Sequence, residues 1–185
     1  MSNMFFKMLS STLLLLSALV GAALADSFNL YAYGDGIGGL PLHYADGAAV
    51  VGRNKPANAS KSDVVAFTTS NGRLVGNPNA TSTDPPFADT LLFIPGPEST
   101  SHEIGFVNET SAPPANEILN KFVWYGHSLF VENADGEFTS LFSVRKSASS
   151  DEEGYSLLWN TTDSDAGSGE QNIVISMRSI APSAD

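Results

Sequence analysis

The chain of 185 residues contains no cysteine. Disulfide staples are therefore excluded, as are thiolate metal sites and a cysteine nucleophile. Basic residues are scarce, with nine Lys and Arg against twenty Asp and Glu, for a formal net charge of −11. Such a surplus repels polyanions, so no nucleic-acid partner is expected. The three histidines, His43, His102 and His127, stand too far apart for a local metal pair at i, i+2 or i+4. No metal or cofactor motif is visible. Helix signals are sparse too. The one expected turn of helix covers residues 115–121, entered through Pro113-Pro114, because proline tolerates a first helical turn.

Long apolar runs are missing after the N-terminus. The single run, from Leu13 to Val20, follows Lys7 and precedes Ala23-Leu24-Ala25. It falls short of the roughly 20 apolar residues that span a bilayer. Ser10, Ser11, Thr12 and Ser17 dilute it further. Positive start, short apolar core and small-x-small site together predict a signal peptide over 1–25, cleaved before Asp26. The C-terminus ends in Ala181-Pro182-Ser183-Ala184-Asp185, which is no lipid-anchor tail. Residues 26–185 are thus expected to form one secreted domain with no membrane anchor. At 42% hydrophobic and 10% aromatic residues, a domain of that size can rely on its core alone.

What the chain does hold is alternation of period two. Phe28, Leu30 and Ala32 alternate with Asn29, Tyr31 and Tyr33. Phe138, Ser140, Phe142 and Val144 do the same with their neighbours, as do Ile173, Ile175 and Met177. Shorter apolar runs lie at 64–68, 91–94, 104–107, 122–125, 129–131 and 155–159. Asp46-Gly47, Asn71-Gly72 and Asp135-Gly136 read as hairpin turns, since those pairs supply positive φ. Ten or more short strands at this spacing predict an all-β, single-domain antiparallel β-sandwich or barrel, with a β-trefoil as the alternative. Four sequons, at Asn58, Asn79, Asn108 and Asn160, sit in loops or at strand ends and are expected to carry N-glycans in a eukaryotic host.

Candidate chemistry fails on context. Gly34-Asp35-Gly36-Ile37-Gly38-Gly39 spells a dinucleotide loop, yet Leu40-Pro41-Leu42 follows where a helix must begin. Gly126-His127-Ser128-Leu129-Phe130 approximates a nucleophile elbow but ends in Phe130 where glycine is needed. Asp163 and Asp165 offer alternate oxygen ligands for calcium, without the rest of an EF-hand loop. Twenty acids allow some catalytic carboxylate pair by accident and single out none. The chain is therefore expected not to be an enzyme. Tyr31, Tyr33, Trp124, Tyr125 and Trp159 are aromatics that would serve a sugar site if exposed. The ligand surface singled out by sequence is the glycine loop at Asp35 with Tyr31 and Tyr33.

The segment from Phe28 through Tyr33, Gly34-Asp35-Gly36 and Tyr44-Ala45-Asp46-Gly47 to Gly52 resembles the opening of a family of small secreted proteins of filamentous ascomycete fungi. Trp124-Tyr-Gly-His-Ser-Leu-Phe-Val-Glu132 and Gly154-Tyr-Ser-Leu-Leu-Trp-Asn160 are similar to the same family. More loosely, the layout resembles fungal phialide-development-type cell-wall proteins, which usually carry cysteines. The resemblance implies an extracellular or wall-associated fungal protein and supplies no catalytic residues. Expected partners are a cell-wall polysaccharide or an extracellular protein. A carbohydrate-binding module and a host-directed effector are the alternative readings.

Overall fold

The computed structural model describes residues 26–79, 83–110, 115–146, 154–162 and 171–183. The leader at 1–25 and the acidic loop with Asp163 and Asp165 lie outside these residues. The strands are β1 (Phe28–Asn29), β2 (Tyr31–Gly34), β3 (Ile37–Ala45), β4 (Ala48–Gly52), β5 (Ser62–Ser70) and β6 (Arg73–Pro78). They continue as β7 (Thr90–Pro95), β8 (Gly105–Asn108), β9 (Glu117–Ile118), β10 (Phe122–Tyr125) and β11 (Ser128–Glu132). Last come β12 (Phe138–Thr139), β13 (Phe142–Lys146), β14 (Gly154–Trp159) and β15 (Ile173–Arg178). Among the described residues these fifteen strands form one antiparallel sheet.

The sheet closes on itself. Running β15-β13-β14-β4-β8-β7-β6-β5-β3-β2 and back to β15, the pairings complete a ten-strand barrel. Closure removes the open edges at which sheets aggregate. Of the arrangements expected from sequence, the barrel is the one formed. The hairpin of β3 and β4 also pairs with itself across this circuit, Leu42 opposite Val51 and Tyr44 opposite Ala49. It therefore divides the barrel into two smaller circuits that share it. One runs through β2, β3, β4, β14, β13 and β15, the other through β3, β4, β8, β7, β6 and β5.

The turn chemistry explains how the hairpin is made. Asp46 and Gly47 have φ of 48° and 95°, and Asn71 and Gly72 have 49° and 72°. Both pairs are two-residue turns whose twist suits the strands they join. The third expected turn differs. At Asp135-Gly136 only Gly136 is left-handed, at φ 81°. There the loop is wider, and Asn133 Oδ1 holds it by accepting from the amides of Asp135 and Glu137.

The expected helix is absent. Residues 115–116 form a turn and Glu117–Ile118 form β9. Asn116 at φ 70° cannot continue a right-handed helix. Its carbonyl instead accepts from the Gly96 amide at 2.7 Å, and Ile118 lies opposite Ile94 on β7. The alternation at 138–145 is also interrupted, because the strand breaks into β12 and β13 and leaves Phe138 and Leu141 exposed.

One contiguous cluster forms the core, with Leu42, Val51, Phe67, Leu92, Phe142 and Met177 among its members. Phe67 is fully buried, stacked 6.2 Å from Phe28 and 6.3 Å from Phe106. On the other face of β3, His43 is 1% exposed, and its Nε2 donates to the Gly52 carbonyl at 2.9 Å. Burial lowers its pKa below 6.5, so the ring is held neutral. Two outcomes follow for stability. Phe67→Ala should cost about 3–5 kcal/mol in urea unfolding, whereas Val174→Ala, on an exposed outward position, should stay within about 0.5 kcal/mol. Because the folded state favours neutral His43, its contribution is complete above pH 6.5 and is lost as pH falls through the depressed value. The melting temperature should therefore decline on acidification below about pH 6.5, and His43→Gln should flatten that decline. An unchanged slope in the variant would assign the acid sensitivity elsewhere.

Candidate functional site

Short strand β9 builds one wall of a cleft. Gly96 makes this possible, since a Cβ there would meet the Asn116 carbonyl oxygen at 2.7 Å. With that close approach, Pro95 lies opposite Glu117, and Pro95 needs no amide partner at a pairing of this kind. The opposite wall comes from the strand before Asn160. The Trp159 amide donates to the His102 carbonyl at 2.8 Å, and His102 Nδ1 donates back to the Trp159 carbonyl at 3.0 Å. The second bond fixes the proton on Nδ1. Edge-on contact with Phe142 at 4.9 Å orients the indole from behind.

Between these walls lies an open cavity of about 540 Å³. Its apolar surface comes from Ile94, Ile118, Val131, Leu141 and Trp159, and its polar groups include Ser99, His102, Asn120, Glu132 and Asn133. Lys121 is the one Lys or Arg in this lining. Concave, mostly apolar sites with a few placed polar groups, at the mouth of a barrel, are where small ligands bind. Leu141, 44% exposed, is an apolar side chain that the strand break turns toward solvent here.

Glu117 is the unusual group. Its Oε2 is buried and has no hydrogen-bond partner among the described residues. Burial raises its carboxyl pKa above the ordinary 4.5. A carboxyl placed so in a cleft is a candidate functional group. Among the described residues, buried His43 Nδ1 is the other side-chain atom without a hydrogen-bond partner, but it sits in the barrel wall and lines neither cavity.

The residues singled out from sequence are distributed differently. Tyr31, Tyr33 and Asp35 share the β2–β3 hairpin, away from the cleft. Tyr33 is engaged in holding the C-terminal segment, donating to the Ile180 carbonyl at 2.8 Å with the Arg178 guanidinium 5.3 Å from its ring. Gly39, at φ 76°, leaves room for Pro182 against Tyr33. Trp124 packs edge-on to Phe28 at 5.1 Å, and Tyr125, 75% exposed, lies at the tip of the β10–β11 hairpin. Of the five aromatics named from sequence, Trp159 alone lines the cleft, and it does so while only 8% exposed. The near-elbow at Gly126 is a hairpin turn, with Ser128 paired to Arg178 in a strand.

All four sequon asparagines are exposed, and Asn160 stands at the cleft rim with φ 51°. No group of three or more His, Asp or Glu placed to hold a metal occurs among the described residues. The chain matches no family model, no curated protein and no solved structure.

Sequence reasoning missed Glu117, Leu141 and the cleft. Glu117 was hidden in a segment read as helix, and only the left-handed Asn116 redirects it. The titration of Glu117 is open to measurement. Because folding favours its protonated form, its contribution is present below pH 4.5 and lost as pH rises through the elevated value. Glu117→Gln should therefore raise the melting temperature at pH 7 and change it little at pH 4. A variant that is equally destabilised at both would mean the carboxylate is satisfied in the native state.

Proposed function

We propose that this is a secreted, N-glycosylated, non-enzymatic protein of the fungal exterior, which acts by holding a neutral cell-wall glycan in the cleft beside Trp159. The cleft itself carries this reading. It joins an indole and an apolar floor to hydroxyl, amide and carboxyl side chains, the mixture that a sugar with apolar faces and hydroxyl edges would meet. The net acidic chain disfavours an anionic polysaccharide. Localisation rests on the leader-like N-terminus and on the resemblance to secreted fungal proteins. The exposed sequons agree with passage through a glycosylating compartment.

The test uses the two tryptophans. Trp124→Phe leaves Trp159 as the sole indole. The purified variant is exposed to insoluble chitin, β-glucan and cellulose, and its emission is followed with soluble oligosaccharides of each. Saturable retention on one polymer, with a shift in Trp159 emission on its oligosaccharides, is the expected result. Retention without any emission change would place the sugar on another surface. Failure to bind all three would turn the search to a protein ligand.

A further inference from the structure

A second cavity, of about 270 Å³, adjoins the first. Both are lined by Pro95, Ser99, Ser101 and Glu117, so those residues form the ridge between them. The smaller cavity extends to the β3–β4 turn at Gly47 and Ala48 and is faced by Phe93 and Gly105. A Cβ on Gly105 would lie 2.8 Å from the Phe93 ring and 2.8 Å from the Gly47 carbonyl oxygen. Only glycine lets that ring lie across the neighbouring strand. Each cavity thus has an aromatic side chain, Trp159 in one and Phe93 in the other, with a carboxyl between them.

We infer that the two cavities are successive subsites of one groove, and that Glu117 hydrogen-bonds a linear glycan chain where it crosses from Trp159 to Phe93. The inference rests on the glycan reading of the larger cavity and adds to it the form of the ligand, a chain rather than a single sugar. Glu117 lines both cavities, and a carboxyl is suited to a hydroxyl, which both donates and accepts. Ser99 and Ser101 are already tied to each other, Ser99 Oγ donating to the Ser101 carbonyl at 3.1 Å and accepting from the Ser101 amide at 3.2 Å. That turn sets the ridge in place before any ligand arrives.

Calorimetric titration with dimers and hexamers of β-1,4-glucose, β-1,3-glucose and β-1,4-N-acetylglucosamine tests this. The hexamer of the retained polymer should bind about tenfold more tightly than its dimer. Ala48 is exposed, and Ala48→Trp, which fills the smaller cavity, should abolish that gain while leaving dimer affinity within about twofold. Phe93→Leu, which preserves bulk but removes the ring, should reduce the gain in the same direction. Glu117→Ala should weaken the hexamer about tenfold, and Glu117→Gln, which keeps a donor and an acceptor, should largely restore it. Equal affinity for dimer and hexamer, untouched by Ala48→Trp and Phe93→Leu, would overturn the two-subsite groove and leave the larger cavity as a sugar site. Binding of neither dimer nor hexamer in any series would overturn the glycan reading and the groove with it.

Discussion

Everything in this barrel depends on the two-residue turn at Asp46-Gly47. Its left-handed pair closes the β3–β4 hairpin that crosses the barrel. The Asp46 carboxylate accepts from the amides of Ser60 and Lys61, both at 2.8 Å, and the Asp46 amide donates to the Lys61 carbonyl. The Gly47 carbonyl accepts from Phe106 at 2.8 Å, which brings β8 alongside. One turn thereby joins a hairpin, a long loop and a neighbouring strand. Such local order lowers the chain-entropy cost of pairing strands distant in sequence.

From that junction the geometry of the cleft follows. With β8 held against Gly47, Gly105 lets the Phe93 ring lie across β8, and the next stretch of chain reaches β14 through His102 and Trp159. The core needs no disulfide because closure buries both aliphatic and aromatic surface in one cluster. Glu117 stands out in the cleft as a carboxyl whose charged form the fold disfavours.

Much of the fold was legible in the sequence because it is local chemistry. The alternations at 28–33 and 173–178 set Leu30 with Ala32 and Ile175 with Met177 on one face of each strand, as read, and that face is the buried one. Asp-Gly and Asn-Gly supplied the two tight hairpins, and Pro41 kept the glycine loop from opening a helix. The cleft was not legible. It is assembled from segments around residues 95, 117, 132 and 159, whose proximity depends on closure and on the bridge from Gly96 to Asn116. Tyr31 and Tyr33 drew attention as paired aromatics, but Tyr33 is occupied with the C-terminal segment. Trp159 was visible as an aromatic, while its place with Glu117 in the lining of one cleft was a tertiary fact. Period-two patterns report which face of a strand is buried and not which strand ends meet.

The most direct measurement is a map of amide chemical shifts in the isotopically labelled protein as oligosaccharide from the retained polymer is added. Perturbations confined to the segments carrying Ser99, Glu117, Asn133 and Trp159 are predicted, with the Tyr31–Asp35 hairpin unmoved. Shifts centred on that hairpin, with the cleft silent, would contradict the assignment of the ligand to the barrel mouth.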